Sequence, residues 1–289
     1  MRVWLANARR ALAVAGDRAD LWPAGTLAWL AYLGWLPLVV ALAPPTVDGV
    51  QRLGVDMYSS STFPWNLVAL SAGWVLVFGL LCLLGAASEV ALRRLAAGRQ
   101  AHGMARDTFS AFAVVLISSL PVVAAAGAAL IGAITVAQGA FLSAEGTLPV
   151  LLRIASQVLP QLTALLLALV VMQAFAAVAL RRLGGGEALH AMRRAASEMR
   201  RRPVRRLATA AVVALVDAAV LALQIALLGV LWEPIGVGLR DGRLASPDTL
   251  LLLVGFVAIW LGLLLAAGAL HAAASAWWTL ELRETGGST

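Results

Sequence analysis

Long apolar runs, cut by short polar and arginine-bearing stretches, set the pattern of this chain. Six runs have the length a bilayer core requires, about 20 residues per helix: Thr26–Ala43, Asn66–Leu84, Phe109–Ala137, Pro160–Leu180, Leu207–Leu231 and Thr249–Trp278. Six transmembrane helices are predicted, forming an all-α polytopic bundle in a single integral membrane domain. Residues 148–159 (LPVLLRIASQVL) read as a short interfacial stretch before the fourth span, with Arg153 reaching outward. Pro44, Pro45, Pro64 and Pro234 are expected to end helices at the outer loops. Trp65 and Trp232 fit an aromatic belt at the outer interface, and Trp277 and Trp278 one at the inner interface.

Charge supplies the orientation. All 22 basic residues are arginine, and only Arg52, Arg153, Arg240 and Arg243 fall on one side of the predicted spans. The other eighteen gather at the N-terminus, in the second-to-third and fourth-to-fifth connections, and in the tail. Both termini are therefore expected in the cytoplasm, at a bacterial inner membrane. A pI of about 11.2 would suit a nucleic-acid binder, but this arrangement explains it as topology, and no nucleic-acid partner is expected. Composition points the same way: 61% hydrophobic and 13% charged residues exclude a soluble or a disordered domain.

The connections contain a repeat. Residues 91–106 (ALRRLAAGRQAHGMAR) and 179–194 (ALRRLGGGEALHAMRR) agree at nine of sixteen positions, including His102 with His190 and Met104 with Met192. Weaker echoes occur in LELRETGG (280–287) and in the arginine-bearing N-terminus. They suggest three hairpin units, about 1–95, 96–183 and 184–289, each a cytoplasmic amphipathic segment followed by a transmembrane hairpin. In the third unit Leu189, Met192, Ala196 and Met199 recur at helical spacing, and Arg193, Arg194, Arg200 and Arg201 lie off that stripe. Pro203 should end this helix, and Glu187 suits its positive end. Such a helix can lie on the inner surface with its arginines on anionic lipid headgroups. A plain stop-transfer anchor and a docking site for another protein or a second copy are the alternatives.

Six spans, arginine-bearing cytoplasmic helices before each hairpin and the terminal LELRETGG resemble a loose group of bacterial membrane families of unknown function. They are similar to the membrane domain that precedes the catalytic barrel in some glycerophosphodiester phosphodiesterases. The catalytic domain is absent from this sequence, so the resemblance implies neither phosphodiesterase activity nor any site residue.

Candidate chemistry inside the spans is sparse. Asp217 lies about ten residues into the fifth span, near the midplane, at an insertion cost on the order of 2.5–3.5 kcal/mol. Gln224 shares its face, and Ala210 and Ala214 would let a neighbouring helix approach. His271 in the sixth span is the expected partner of Asp217, on a face with Ala267, Ala274 and Ser275. Gln173, Ser118 and Ser119 could line the same interior, although serines in membrane helices commonly bond back to their own helix. Ala124, Ala128 and Gly132 form a small-residue packing stripe.

No lysine is present for a P-loop or a Schiff base, and Cys82 is the single cysteine. No H-E-x-x-H or G-x-S-x-G motif occurs. No catalytic residue, cofactor or metal is therefore expected. Gly184–Gly186 read as a helix end and hinge. The sequence is read as a non-enzymatic scaffold, lipid-associated protein or accessory subunit. A small transporter or permease component with a polar path near Asp217 is the alternative.

Overall fold

The structure, a computed structural model, describes residues 2–42, 52, 55–96, 104–141, 147–183, 187–242 and 246–286. Among them the regular elements are all helical. The helices are α1 (Arg2–Asp17), α2 (Trp22–Trp29), α3 (Leu36–Leu42), α4 (Trp65–Ala96), α5 (Met104–Phe141), α6 (Thr147–Arg182), α7 (Ala188–Arg201), α8 (Pro203–Arg240) and α9 (Pro247–Gly286). Five are long and apolar enough to cross a bilayer, or six spans result if the bent run through α2 and α3 counts as one. At most 22% of each span's most apolar stretch is buried, so most of that surface is left for lipid or another apolar partner.

Four details differ from the sequence pattern, each for a physical reason. The first span is not one helix: the run Ala19–Gly34 meets Leu36–Leu42 at 49°. Pro37 lacks the N–H that would bond Leu33 and its ring crowds that carbonyl, and the turn before it widens into a π segment at Leu30–Gly34. Residues 148–159 are no separate interfacial stretch, because α6 runs unbroken from Thr147 to Arg182 through Pro160. Pro234 does not end a helix either, since α8 carries on through it to Arg240. A proline forfeits one bond of the ladder, and a long apolar helix with nowhere else to place its backbone groups tolerates that loss. Finally, Trp277 and Trp278 are 8% and 3% exposed, so they are core residues rather than an interfacial belt. Trp4 of α1 packs on Trp277 with ring centroids 5.0 Å apart.

The chain divides into two compact units, Met1–Phe112 with Leu215–Thr289, and Ala113–Ala214. In the first, α2 packs against both α4 and α9, while α1 lies along α9. Glycine permits the tightest approach. A Cβ added at Gly25 would sit on the Gly268 carbonyl oxygen, and one added at Gly268 would come within 2.6 Å of the Thr26 Cα. Leu21, Ala28, Leu92 and Ala272 close the core beside this crossing, and Trp29, Leu264 and Ala267 extend it. Farther along, Leu228, Ile235 and Phe256 bury the α8–α9 hairpin. Gly242, at φ +72°, supplies the left-handed position where α8 ends. Ser246 then accepts the Thr249 N–H at 3.3 Å, starting α9 with Pro247 in its first turn.

Polar ties hold the ends of the first unit. Asn7 Nδ2 donates to Glu281 Oε1 at 3.3 Å, and both side chains are buried. Arg93 and Arg94 at the end of α4 reach Asp107 of α5 at 3.2 and 2.8 Å. Arg18, at the corner between α1 and α2, donates to the Leu95 carbonyl at 3.1 Å and pairs with Asp20 at 2.6 Å. Its side-chain hydrogen bond holds the Asp20 carboxyl below the usual carboxylate range. The folded carboxyl is thus the stronger acid. Its contribution is complete above the ordinary aspartate pKa and is lost as pH falls through the lower folded value. The pair is exposed, so salt weakens it. Asp20→Asn should therefore remove a small acid-side loss of thermal stability that wild type shows at low salt, and high salt should erase the difference.

In the second unit α7 packs on the end of α6. Arg182 of α6 pairs with Glu198 of α7. Arg202 leaves helical geometry at φ −142°, ψ 58°, and Pro203 begins α8, so the expected stop at that proline holds. On α5, Ala124 and Ala128 are exposed while Ala129 is buried, so the packing stripe is rotated from the one the sequence suggested. Gly132 does approach a neighbour, with the Gln161 amide where its Cβ would be. The two repeat copies agree in ending a helix, Ala91–Arg94 in α4 and Ala179–Arg182 in α6, and then part. Met104–Arg106 opens the spanning helix α5, whereas Met192–Arg194 belongs to the separate helix α7. His102 and Gly184–Gly186 lie outside the described residues.

Candidate functional site

The polar interior of the first unit is built on the small-residue face of α9. Ala267 and Ser275 are buried there, and His271 lies between them, as its sequence spacing suggested. The nitrogen Nε2 of His271 is 2.8 Å from Glu89 Oε1 of α4, with side-chain exposures of 15% and 11%. Ser275 Oγ donates to the second carboxylate oxygen, Glu89 Oε2, at 3.4 Å. Tyr32, on the π segment after α2, packs its ring 5.9 Å from the His271 ring. Gly85, one turn before Glu89, leaves room for that phenol: a Cβ there would lie 3.1 Å from the Tyr32 hydroxyl. Three helical segments therefore converge on one carboxylate–imidazole pair.

The sequence offers Asp217 as the partner of His271; the structure adds a partner that reading did not name. Glu89 occupies the Nε2 side of the ring. It was overlooked because it falls beyond the apolar core of the second span, one turn before Arg93 and Arg94, where an acid reads as a solvated residue. A usable signal was present: Cys82, Gly85 and Glu89 recur at helical spacing on one face.

Gln224 is a second polar node. It is buried, accepts the Trp29 indole N–H at 3.4 Å and donates to the Leu263 carbonyl at 3.1 Å. Trp232 on Phe256, centroids 5.4 Å apart, continues the same antiparallel register. Seven residues back along α8 from Gln224 correspond to seven forward along α9 from Leu263. Half-buried Asp217 is thereby level with His271, in line with the expected similarity of depth. Gln173 is half-buried on α6, in the other unit. Ser118 and Ser119 spend their hydroxyls on the carbonyls of Val114 and Leu116 in their own helix. Among the described residues no three metal-ligating side chains cluster.

If Asp217 serves packing alone, Asp217→Asn should unfold in detergent at the wild-type temperature, and Asp217→Leu should cost about 1–2 kcal/mol at most. If it lines a polar path, Asn should still fold and should abolish proton- or cation-coupled flux into reconstituted vesicles.

No protein-family model, curated protein or solved structure matches this chain. The chemistry therefore has to be read from the residues alone.

A second surface of interest is α7. The sequence puts Leu189, Met192, Ala196 and Met199 on the apolar stripe of this helix, and the positions buried against the protein are Ala191 and Ala195. Leu189 is 55% exposed and Ala196 is exposed, with Met192 and Met199 half-buried. The stripe is thus the shoulder of the helix, between the face against α6 and the arginine face. The physical reason is size: two alanines let α7 lie close to α6, closer than the longer side chains would. Arg193, Arg194, Arg200 and Arg201 are all exposed. Arg193 and Arg200, seven residues apart, border the apolar shoulder, and Arg194 and Arg201 lie farther round.

Proposed function

We propose that this is a non-enzymatic, lipid-associated scaffold or accessory protein of a bacterial inner membrane, with both termini in the cytoplasm. The observation that carries the reading is the exposed apolar shoulder of α7 next to the arginine row. A helix fixed by one face, with apolar and cationic strips side by side on its free surface, matches a bilayer interface. Methylene and methionine groups meet the acyl boundary, and guanidinium groups meet anionic phosphate. Four exposed arginines in one short helix favour phospholipid over the plain anchor, which requires no apolar shoulder. The eighteen-to-four bias of arginines favours the cytoplasmic side for this helix. The repeated ALRR segments, each closing a spanning helix and followed by an acid that pairs with it, are consistent with hairpin units of common design.

The test uses a single environment-sensitive fluorophore on Ala196→Cys, with Cys82→Ser to remove the native thiol. In vesicles containing anionic phospholipid the emission should shift to the blue and resist aqueous quenchers. It should revert in purely zwitterionic lipid. Equal emission in both lipids would contradict the proposal, and labelling of the same cysteine from outside intact cells would reverse the topology.

A further inference from the structure

The α7 surface leaves unused the most heavily functionalised point of the interior, the meeting of Glu89, His271, Ser275 and Tyr32. We propose that Glu89 and His271 form a proton-binding site inside the membrane-spanning bundle, distinct from the lipid-facing surface. The argument starts from the groups present. Glu89 Oε1 and His271 Nε2 are 2.8 Å apart, a hydrogen-bond distance that requires a proton between them. Ser275 Oγ donates to Oε2 at 3.4 Å, so both carboxylate oxygens face polar groups of α9. Packing of Tyr32 fixes the imidazole plane on one side.

Proton counting defines the two states. In the loaded state one proton sits on His271 Nδ1 and a second between Nε2 and Oε1, and the pair as a whole is neutral. Which of the two atoms carries the shared proton does not alter that sum. Loss of one proton to cytoplasmic water leaves a single proton in the site and one net negative charge within the bundle. The two states thus differ by one charge in a weakly polar surrounding, where charge interacts strongly with its neighbours.

Charged and polar groups from several described elements bear on the pair, among them Arg93, one turn beyond Glu89 on α4. From α2 and its π extension comes the Tyr32 phenol, from α8 comes Asp217 at the same level, and α9 supplies Ser275. The helix α1 presents Asn7 to Glu281, ten residues farther along α9.

The geometry also gives the proton a mechanical lever. His271 is one turn from Gly268, Glu89 is one turn from Gly85, and the Tyr32 ring packs near His271 and fills the space beside Gly85. A change of charge at the dyad therefore acts within a turn of the Gly268 crossing of α2 and α9 and of the Gly85–Tyr32 approach.

Nitrogen-15 spectra of the histidine-labelled full chain in lipid nanodiscs, taken between about pH 5.5 and 9, test this directly, since the chain contains three histidines. His271→Asn, by deleting one signal, assigns the resonance. The expected result is that His271 passes between loaded and unloaded forms within this range. Glu89→Gln should displace its midpoint by one pH unit or more, a tenfold change in proton affinity. Ser275→Ala, which leaves the pair intact, should displace it by a smaller amount and decides the matter if the Gln variant does not fold. An invariant His271 spectrum across the range overturns the proposal. So does a titration that superimposes on wild type in every variant that folds.

Discussion

Replacing Gly268 with alanine should destabilise the protein by about 3 kcal/mol, the upper end for overpacking, whereas the same change at Gly262 on the same helix should not. At Gly268 the new methyl would meet the backbone of Thr26, with the Cα at 2.6 Å, and a backbone cannot rotate out of the way as a side chain can. The helices α2 and α9 would have to separate, taking with them the contacts of Ala28 and Ala272. At Gly262 a Cβ meets nothing within 4 Å, and there alanine should gain about 0.5–1 kcal/mol from helix propensity. Gly25→Ala should behave like Gly268→Ala, because its methyl lands on the Gly268 carbonyl oxygen. Unfolding in mixed micelles, followed by tryptophan fluorescence, reads all three. Equal stability of the Gly268 and Gly262 variants would show that α2 and α9 do not cross at this point.

The second large effect concerns charge on α7. Each arginine near an anionic leaflet contributes about 1 kcal/mol to surface attraction. Replacing Arg193, Arg194, Arg200 and Arg201 together with glutamine should therefore weaken attachment of the helix by about 4 kcal/mol, roughly a thousandfold in the docked-to-free ratio. The double variant Arg193→Gln/Arg200→Gln should lose more than Arg194→Gln/Arg201→Gln, because the first pair borders Leu189 and Ala196. The fluorophore at position 196 reports the difference, and added salt should mimic the fourfold substitution in wild type. Equal losses from the two pairs would indicate a diffuse electrostatic attraction with no apolar shoulder in contact.

What the sequence shows of this fold follows the range over which each force acts. Apolar length is a local property, and it marks five helices long enough to cross a bilayer, or six spans if the bent run through α2 and α3 counts as one. Pro203 is also local, and it stops α7 as read. Pro160 and Pro234 are equally visible, yet the helix carries on through each, because the cost of one missing hydrogen bond is outweighed by the surrounding apolar helix. Trp277 could serve an interface or a core, and only the arrival of Trp4, from the other end of the chain, decides between them. The polar site behaves likewise. His271 and Gln224 stand out as polar residues in apolar runs, yet Glu89 and His271 are separated by 182 positions, and no pattern within either helix announces the other. For α7 the helical period is legible, but which residues lie against α6 is not, because side-chain volume, which the period ignores, selects the stripe that can lie flat.

Asn7 and Glu281 bond across 274 positions of sequence. A ribosome adding about 5–20 residues per second takes on the order of 14–55 s to make the second partner after the first. Throughout that interval α1 and α2 have no α9 to pack against, and the glycine face of α2 has lipid or a chaperone in place of Gly268. The bend at Pro37 lies in the same waiting segment, so the first span has to remain in the bilayer on its own hydrophobicity before its tightest neighbour exists. Assembly of this unit is accordingly a closing of the chain's ends upon one another, completed only when the last span enters the membrane.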